Sequence, residues 1–458
     1  MRARRRLTGL ALALALLPAT GQAAELLELY REAVRQDPTY LAAQAEYEAS
    51  RERVPQARAG LLPSLGLGGG IAYNDNQVSG SSVARPGQPR TDFSGNRVFD
   101  TRFVRLQLAQ PLFNRENWIG LEQAELALVQ SAAELRAARI DLALRLSQAW
   151  FDLLFADDVL RFATVQRDAI DAQRQEALAR YEAGLAPVTE VDESQARFDL
   201  AKADEIRARS AVEVARRALQ TVIGRLPAAT VTLPPGFRPV LPDPDDIERW
   251  AEVAASNNAL VEQRQQAFEV ADAEIRRQQA GHLPTLSAVA SWGLFANTGG
   301  NTQFTPPLQI EERSIGLQLN MPLYAGGGVS AATREAVSRK EAARQQLEAA
   351  RRQASQQARQ AFIDVSALRA RIGALESARS ASLGQLDSTR TGLEVGLRTR
   401  IDLLNAQQQV FSTERDLARA RYDYLLAWLR LKAATGTLED EDMAELDRLL
   451  ATANPAQR

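Results

Sequence analysis

Few residues in this chain are placed to do chemistry. Two acids stand in the first turn of predicted helices: Asp402 follows Thr399 at capping-box spacing, Thr399-x-x-Asp402, and Glu190 follows Pro187. A carboxylate there complements the partial positive charge of a helix start, so capping accounts for both, and a second role at the turn can coexist with it. Arg398, just before Thr399, is an ordinary solvated charge unless a neighbouring helix offers a carboxylate or amide for its guanidinium to bridge. His282 is the only histidine and there is no cysteine, which removes thiolate metal sites, disulfides and lipid attachment through sulfur. No nucleophile stands beside a base, and no carboxylate pair has the setting for acid–base catalysis. Gly299-Gly300 and Gly326-Gly327-Gly328 are turn glycines without a phosphate-cradling pattern. The expectation is therefore no catalytic residue, no metal and no cofactor: not an enzyme.

What positions these residues is a duplicated frame. Leu62-Pro63-Ser64-Leu65 returns as Leu283-Pro284-Thr285-Leu286, and Gln110-Pro111-Leu112-Phe113 as Met321-Pro322-Leu323-Tyr324. Gly184-Leu185, Glu190, Gln195 and Gly224 reappear, each 212 positions later, as Gly396-Leu397, Asp402, Gln407 and Gly436. A fixed-spacing repeat dictates architecture before any single residue is interpreted.

The ends bound the compartment. Arg2, Arg4, Arg5 and Arg6 precede the short apolar run Leu7 to Leu17, and small residues Gly21, Ala23 and Ala24 follow. That reads as a secretory signal peptide over 1–24, too short and wrongly flanked for a spanning helix. No later stretch has the apolar length of a transmembrane helix, so any membrane crossing must use strands. The formal charge of −2 gives no footprint for nucleic acid. Hydrophobic residues make up 45% of the chain, and many are alanines spread through charged helices, which pack by narrow seams.

Each half predicts helices and a strand pair. The first half, 25–226, has a helix from Glu25 to Gly60, strands over 64–73 and 101–112, a long helix over 114–183 and a return helix over 188–223. Polar, glycine- and proline-bearing Asn74 to Asp100 reads as a long exposed loop. A proline-rich crossover occupies 227–244. The second half, 245–437, has a helix from Asp245 to Gly281, strands over 283–295 and 313–323, a long helix over 328–395 and a return helix over 400–435. The tail, 438–458, reads as a small helix and a disordered end. Each long helix runs about 70 residues, or roughly 100 Å at 1.5 Å per residue, with no proline, the mark of a coiled coil or packed helical array. The glycine turns at Gly184 and Gly396 close them. The short helices have the summed length to stack end to end beside each long one.

The strands alternate. Leu106, Leu108, Leu317 and Leu319 fall on one face, and Arg105, Gln107, Gln318 and Asn320 on the other. That pattern fits a sheet over a core or a barrel with lipid outside and a wet lumen. Trp292, in a strand, is a candidate for an interfacial aromatic girdle, whereas Trp118, Trp150, Trp250 and Trp428 read as core or seam. Four strands cannot close a barrel and four helical columns enclose no bore, but copies arranged around an axis remove both deficits. Three copies give twelve strands and twelve helical columns.

Nearly the whole chain, from about Leu26 to Leu450, resembles the TolC family of outer-membrane efflux and secretion ducts. The resemblance is carried by Leu61-Leu62-Pro63-Ser64-Leu65, Gly281-His282-Leu283-Pro284-Thr285-Leu286 and Met321-Pro322-Leu323-Tyr324-Ala325-Gly326-Gly327. The turn Val395-Gly396-Leu397-Arg398-Thr399 and the run Leu431-Lys432-Ala433-Ala434-Thr435-Gly436-Thr437-Leu438 complete it. It implies a mainly α fold with a β-barrel contribution: a homotrimer closing a 12-stranded β-barrel in the outer membrane and a 12-helix α-barrel in the periplasm. It implies as partners a periplasmic adaptor (a membrane fusion protein), an inner-membrane ABC or proton-driven pump, and outer-membrane lipid. Residue by residue, it puts Asp402 in an acidic ring at the periplasmic entrance and Asn405 where a second ring aspartate stands in the family. Arg398, Glu190 and Gln173 fall where polar links hold the entrance shut, and Leu393 falls where the family has a tyrosine.

The function expected is passive export of secreted proteins or drugs across the periplasm and outer membrane. The rival is a periplasmic coiled-coil adaptor or scaffold that never enters the membrane, which would not need two alternating strand pairs. A plain porin is the second rival, and the very long helices argue against it.

Overall fold

The structure is a computed structural model and describes residues 26–82, 89–227, 233, 237–300 and 306–451. The expected signal peptide and the extreme C-terminal residues lie outside these. Elements run α1 (Leu26–Gln36), α2 (Pro38–Ala59), β1 (Ser64–Ser82), β2 (Thr91–Phe113), α3 (Arg115–Glu182), α4 (Val188–Ile223), α5 (Ile247–Asn257), α6 (Ala259–Ala280), β3 (Thr285–Asn297), β4 (Leu308–Asn320), α7 (Gly328–Glu394), α8 (Arg400–Ala434) and α9 (Asp440–Ala451). No helix among the described residues is long and apolar enough to cross a membrane.

Four expectations need correction. The first helix is two, because Asp37 stands before Pro38 and accepts the Tyr40 N–H (2.8 Å), starting α2 afresh. The helix of the second half is likewise two, since the Asn258 side chain accepts the Leu260 N–H and begins α6. Most of the expected loop Asn74–Asp100 is paired strand: β1 and β2 stay in register from Ser64↔Ala109 to Ser82↔Thr91. A hairpin ladder is built by backbone groups, so a polar, glycine-bearing sequence extends it once the register is fixed below. In the second pair the strands sit differently from expectation. β3 begins two residues later, and β4 ends at Asn320, leaving Met321 to Tyr324 outside it.

The chain divides into two compact units, each with its own packing. One comprises Ala42–Ala138 and Glu252–Gln356 and contains the sheet. Its four strands pair antiparallel in the order β1-β2-β3-β4. The register sorts the faces. Leu65↔Leu108, Leu67↔Leu106, Leu106↔Trp292, Ala288↔Leu317 and Leu286↔Leu319 put the apolar set on one side. Gly66↔Gln107, Gln107↔Ser291, Gly293↔Glu312 and Ser287↔Gln318 put the polar set on the other. From Leu286 to Leu294 the apolar face runs roughly 26 Å along the strand, about 20 Å of height at barrel tilt, most of an outer-membrane apolar band. It is strongly exposed, with Leu67 73%, Leu317 69% and Ile315 89% accessible. Below the sheet, α3 and α6 pack through Ile119, Leu126, Ala273 and Ala280. Arg276–Glu122 (2.7 Å) links the same two helices, and Lys340–Asp272 (2.7 Å) joins α7 to α6.

The other unit comprises the segments up to Leu41, Arg139–Ala251 and from Gln357 onward. Its core holds Leu26, Leu29, Leu146, Trp150, Phe151, Leu154, Leu219, Ile223 and Ile372. Trp150 is therefore core, as its helical setting indicates. Polar anchors are satisfied inside it: Arg145 donates to both Asp37 oxygens (3.1 Å each), and the Tyr422 hydroxyl donates to Asp158 (2.9 Å). The C-terminal helix closes on the first. Asp447 of α9 accepts the buried backbone N–H of Leu26 at 2.8 Å, and Arg139 joins Tyr30 (3.1 Å) to Asp440 (2.6 Å).

Candidate functional site

The residues singled out from the sequence gather where α3 turns into α4 and α7 into α8, all within the second unit. Both turns use glycine in the left-handed region, Gly184 at φ 71° and Gly396 at φ 78°, where a side chain would be strained. The turn before α8 is tight: Leu397 and Arg398 both donate backbone N–H groups to Gly392 O (2.8 and 3.1 Å). The Arg398 side chain lies against Gly392, where an added Cβ would come within 2.7 Å of its Cγ.

Asp402 makes the full capping box. Thr399 Oγ1 receives the Asp402 N–H at 3.2 Å, and Asp402 Oδ2 accepts the Thr399 N–H at 2.9 Å and its hydroxyl at 3.0 Å. The Thr399 backbone N–H, and then its hydroxyl, hold the carboxyl below the usual aspartate range, so it stays charged at neutral pH. Asn405, one turn further along α8, is exposed. Gln173 on α3 donates to Gln407 Oε1 on α8 at 3.0 Å, an amide link between the two helices.

Glu190 is not paired with Arg398 within the chain. Its partner is Arg400, whose Nε lies 3.2 Å from Glu190 Oε1, an ionic contact off the line of a hydrogen bond. Arg400 also donates to Glu176 on α3, and that hydrogen bond holds the Glu176 carboxyl below its usual range and raises the guanidinium. One arginine at the start of α8 thus spans the end of α3 and the start of α4. It is three-quarters shielded, with 25% side-chain exposure against 58% for Glu176 and 28% for Glu190. Sequence reasoning missed it; the one signal was a guanidinium immediately after the cap residue Thr399.

A cleft of about 360 Å³ opens beside this clasp, lined by Ile170, Gln173, Ala177, Glu190, Leu393 and Leu404 among others. Leu393 contributes an apolar wall and no hydrogen bond there. His282 sits in the turn between α6 and β3, its N–H donated to Gln279 O (3.1 Å). Trp292 lies on the apolar face of the sheet and donates its ring N–H to Glu311 (3.0 Å), the amphipathic setting of a membrane-interface ring.

Comparison with known proteins gives one consistent answer. The outer membrane efflux protein family matches residues 29–225 and 250–437. Outer membrane protein TolC of Vibrio cholerae is 30% identical over 443 residues, covering 94% of this chain and 95% of that protein. Alkaline protease secretion protein AprF of Pseudomonas aeruginosa is 32% identical over 426 residues, covering 91% and 85%. Among solved structures, the Campylobacter jejuni CmeC outer membrane channel superposes with a TM-score of 0.74 at 13% identity, covering 94% and 90%, and VceC of Vibrio cholerae with 0.71 at 20%, covering 90% and 96%. The fold is that of these channels. With two long repeats, a sheet apolar on one face and a family match over most of its length, this chain belongs to the outer membrane efflux protein family and is an outer-membrane export channel.

Proposed function

We propose that three copies of this chain close edge to edge into a 12-stranded barrel and a 12-helix periplasmic tube, forming a passive duct for secreted proteins, drugs or both. The carrying observation is the sheet: one face apolar, the other polar, and its outer strands β1 and β4 each paired on one side only among the described residues. Unpaired edges of a lipid-facing sheet are not tolerated, and a heterologous β4-to-β1' contact removes them all when it closes into a ring. A periplasmic adaptor or scaffold has no use for such a face.

In this reading the channel does no catalysis, and energy comes from an inner-membrane ABC or proton-driven pump reached through a periplasmic adaptor. Type I secretion is favoured by the kinship with AprF, a protease secretion protein by name. The turns at Gly184 and Gly396 lie at the periplasmic entrance, where Asp402 of each copy forms an acidic ring and Asn405 thins its charge. Gln173, Glu190 and Arg398 belong to the links that keep the entrance shut, with Arg400 as the central clasp. A ring of carboxylates at a constriction favours cations. The test is single-channel recording in planar bilayers, wild type beside Asp402→Ala. A small cation-preferring conductance that loses its preference in the variant is expected; unchanged selectivity removes Asp402 from the entrance, and a folded protein that stays out of the outer membrane removes the duct.

A further inference from the structure

The two faces of the sheet exchange character toward the β1–β2 and β3–β4 turns. Near the helices the polar face carries Gln107, Ser291 and Ser314, with Ser291 and Ser314 hydrogen-bonded at 2.8 Å. One row further, Arg105 reaches Glu312 at 4.0 Å across Gly293, whose missing side chain clears the path. The next row on the same face is apolar. Gly70 pairs with Phe103, Phe103 with Phe295, and Phe295 with Ile310. Leu308 follows on that face of β4 and Phe99 on that face of β2. At this level the opposite face turns polar on β2 and β4, with Arg102, Gln309, Glu311 and Arg313, while Ile71 and Tyr73 on β1 and Leu294 and Ala296 on β3 extend the apolar band.

A water-filled membrane barrel is apolar outside and polar within; polar outside and apolar inside is the pattern of a sheet that packs its inner face. Phe103, Phe295 and Ile310 are 47%, 38% and 45% accessible in the single chain, so the protomer alone leaves much of this apolar row open. Phe103 already leans over the bare backbone of Gly70, its Cε1 lying 2.7 Å from where a glycine Cβ would stand. Resting on the trimeric barrel proposed above, we infer that Phe103, Phe295 and Ile310 of three copies form an apolar collar inside the outer mouth, the barrel's own gate to hydrated solutes. A twelve-stranded wall is roughly 24 Å across, and six phenylalanines with three isoleucines at one level cut the wet bore to roughly half. Hydrophobic constrictions of this kind resist water and ions while yielding to apolar surface. The collar therefore lets partly unfolded or amphipathic cargo through and retards small hydrated molecules entering from outside.

The chain has no cysteine, so single thiols report on the barrel without background. In intact porin-deficient cells, a charged membrane-impermeant methanethiosulfonate is added outside. Ser291→Cys lies on the polar face inward of the collar, Asn297→Cys on that face outward of it, and Ala290→Cys on the lipid-side face. The expected order is rapid labelling at 297, labelling about tenfold slower at 291, and none at 290. Adding Phe103→Ser, Phe295→Ser and Ile310→Ser should bring 291 up to the rate at 297. Equal rates at 297 and 291 with the collar intact overturn the collar, and that comparison stands even where the triple variant fails to fold. Labelling at 290 as fast as at 291 overturns the inside–outside assignment, and with it the barrel itself.

Discussion

Arg400 ties three helices at the glycine turns, and if these turns are the proposed entrance the consequence of untying it can be worked out. Arg400→Gln keeps the length and a donor but removes the charge that Glu176 and Glu190 share. Glu176 is more than half exposed, so solvent screening places its pair at the low end of the range for surface ion pairs, about 0.3 kcal/mol. Glu190 and Arg400 are both about three-quarters shielded, which places theirs nearer 1 kcal/mol. The loss is then about 1–1.5 kcal/mol per protomer, and about 3–4.5 kcal/mol for a gate of three protomers that opens as one, or some two to three powers of ten in the open-to-closed ratio. The assay is open probability and mean conductance of purified trimer in planar bilayers, with Glu190→Gln and the double variant completing a cycle. Raised opening in both singles, with the double no worse than either, is expected. A trimer of wild-type stability whose Arg400→Gln channels open no more often refutes the clasp, leaving the arginine as a packing residue of the turn.

Two further outcomes follow, one from the same contacts and one from the Asp37–Arg145 pair. The Glu176 carboxyl is held below its usual 4.5 by Arg400; a lowered folded value means the stabilisation is complete above 4.5 and is lost as pH falls through the lowered value, so open probability should rise on acidification in the wild type and change less in Arg400→Gln. Asp37→Ala removes the start signal of α2 and strips Arg145 of its two-pronged partner, which at 34% exposure retains only Asp141 (2.7 Å), so thermal unfolding should show a loss of about 2–3 kcal/mol; a variant within 0.5 kcal/mol of wild type would show that Asp37 neither caps nor pairs in solution.

The long helices and their glycine turns were legible because each is written in local signals: an unbroken helical stretch, a turn glycine, and a cap such as Thr399-x-x-Asp402. The hairpin extension was not, because Asn74, Gly80 and Gly95 are turn-formers by type, and only the pairing already established at Leu65↔Leu108 carries them into the ladder. The break at Asp37-Pro38 was visible in principle, since an acid before proline is a common helix start, but the apolar spacing of Leu26, Leu29 and Tyr30 read straight through it. At the turns, sequence reasoning named Glu190, Gln173 and Arg398 and passed over Arg400, which within the chain meets Glu190. The contacts of Arg400 join residues more than two hundred positions apart, and no periodicity encodes such a meeting.

The bond from Leu26 to Asp447 spans 421 positions. A chain delivered amino end first therefore leaves the Leu26 donor in the first turn of α1 without this partner until α9, the last of the described helices, arrives. Any product cut short before α9 keeps that donor and the apolar seat of Leu26 and Leu29 bare. Docking of α9 is thus the step that seals the start of α1, and it joins two helices that lie more than four hundred positions apart along the chain.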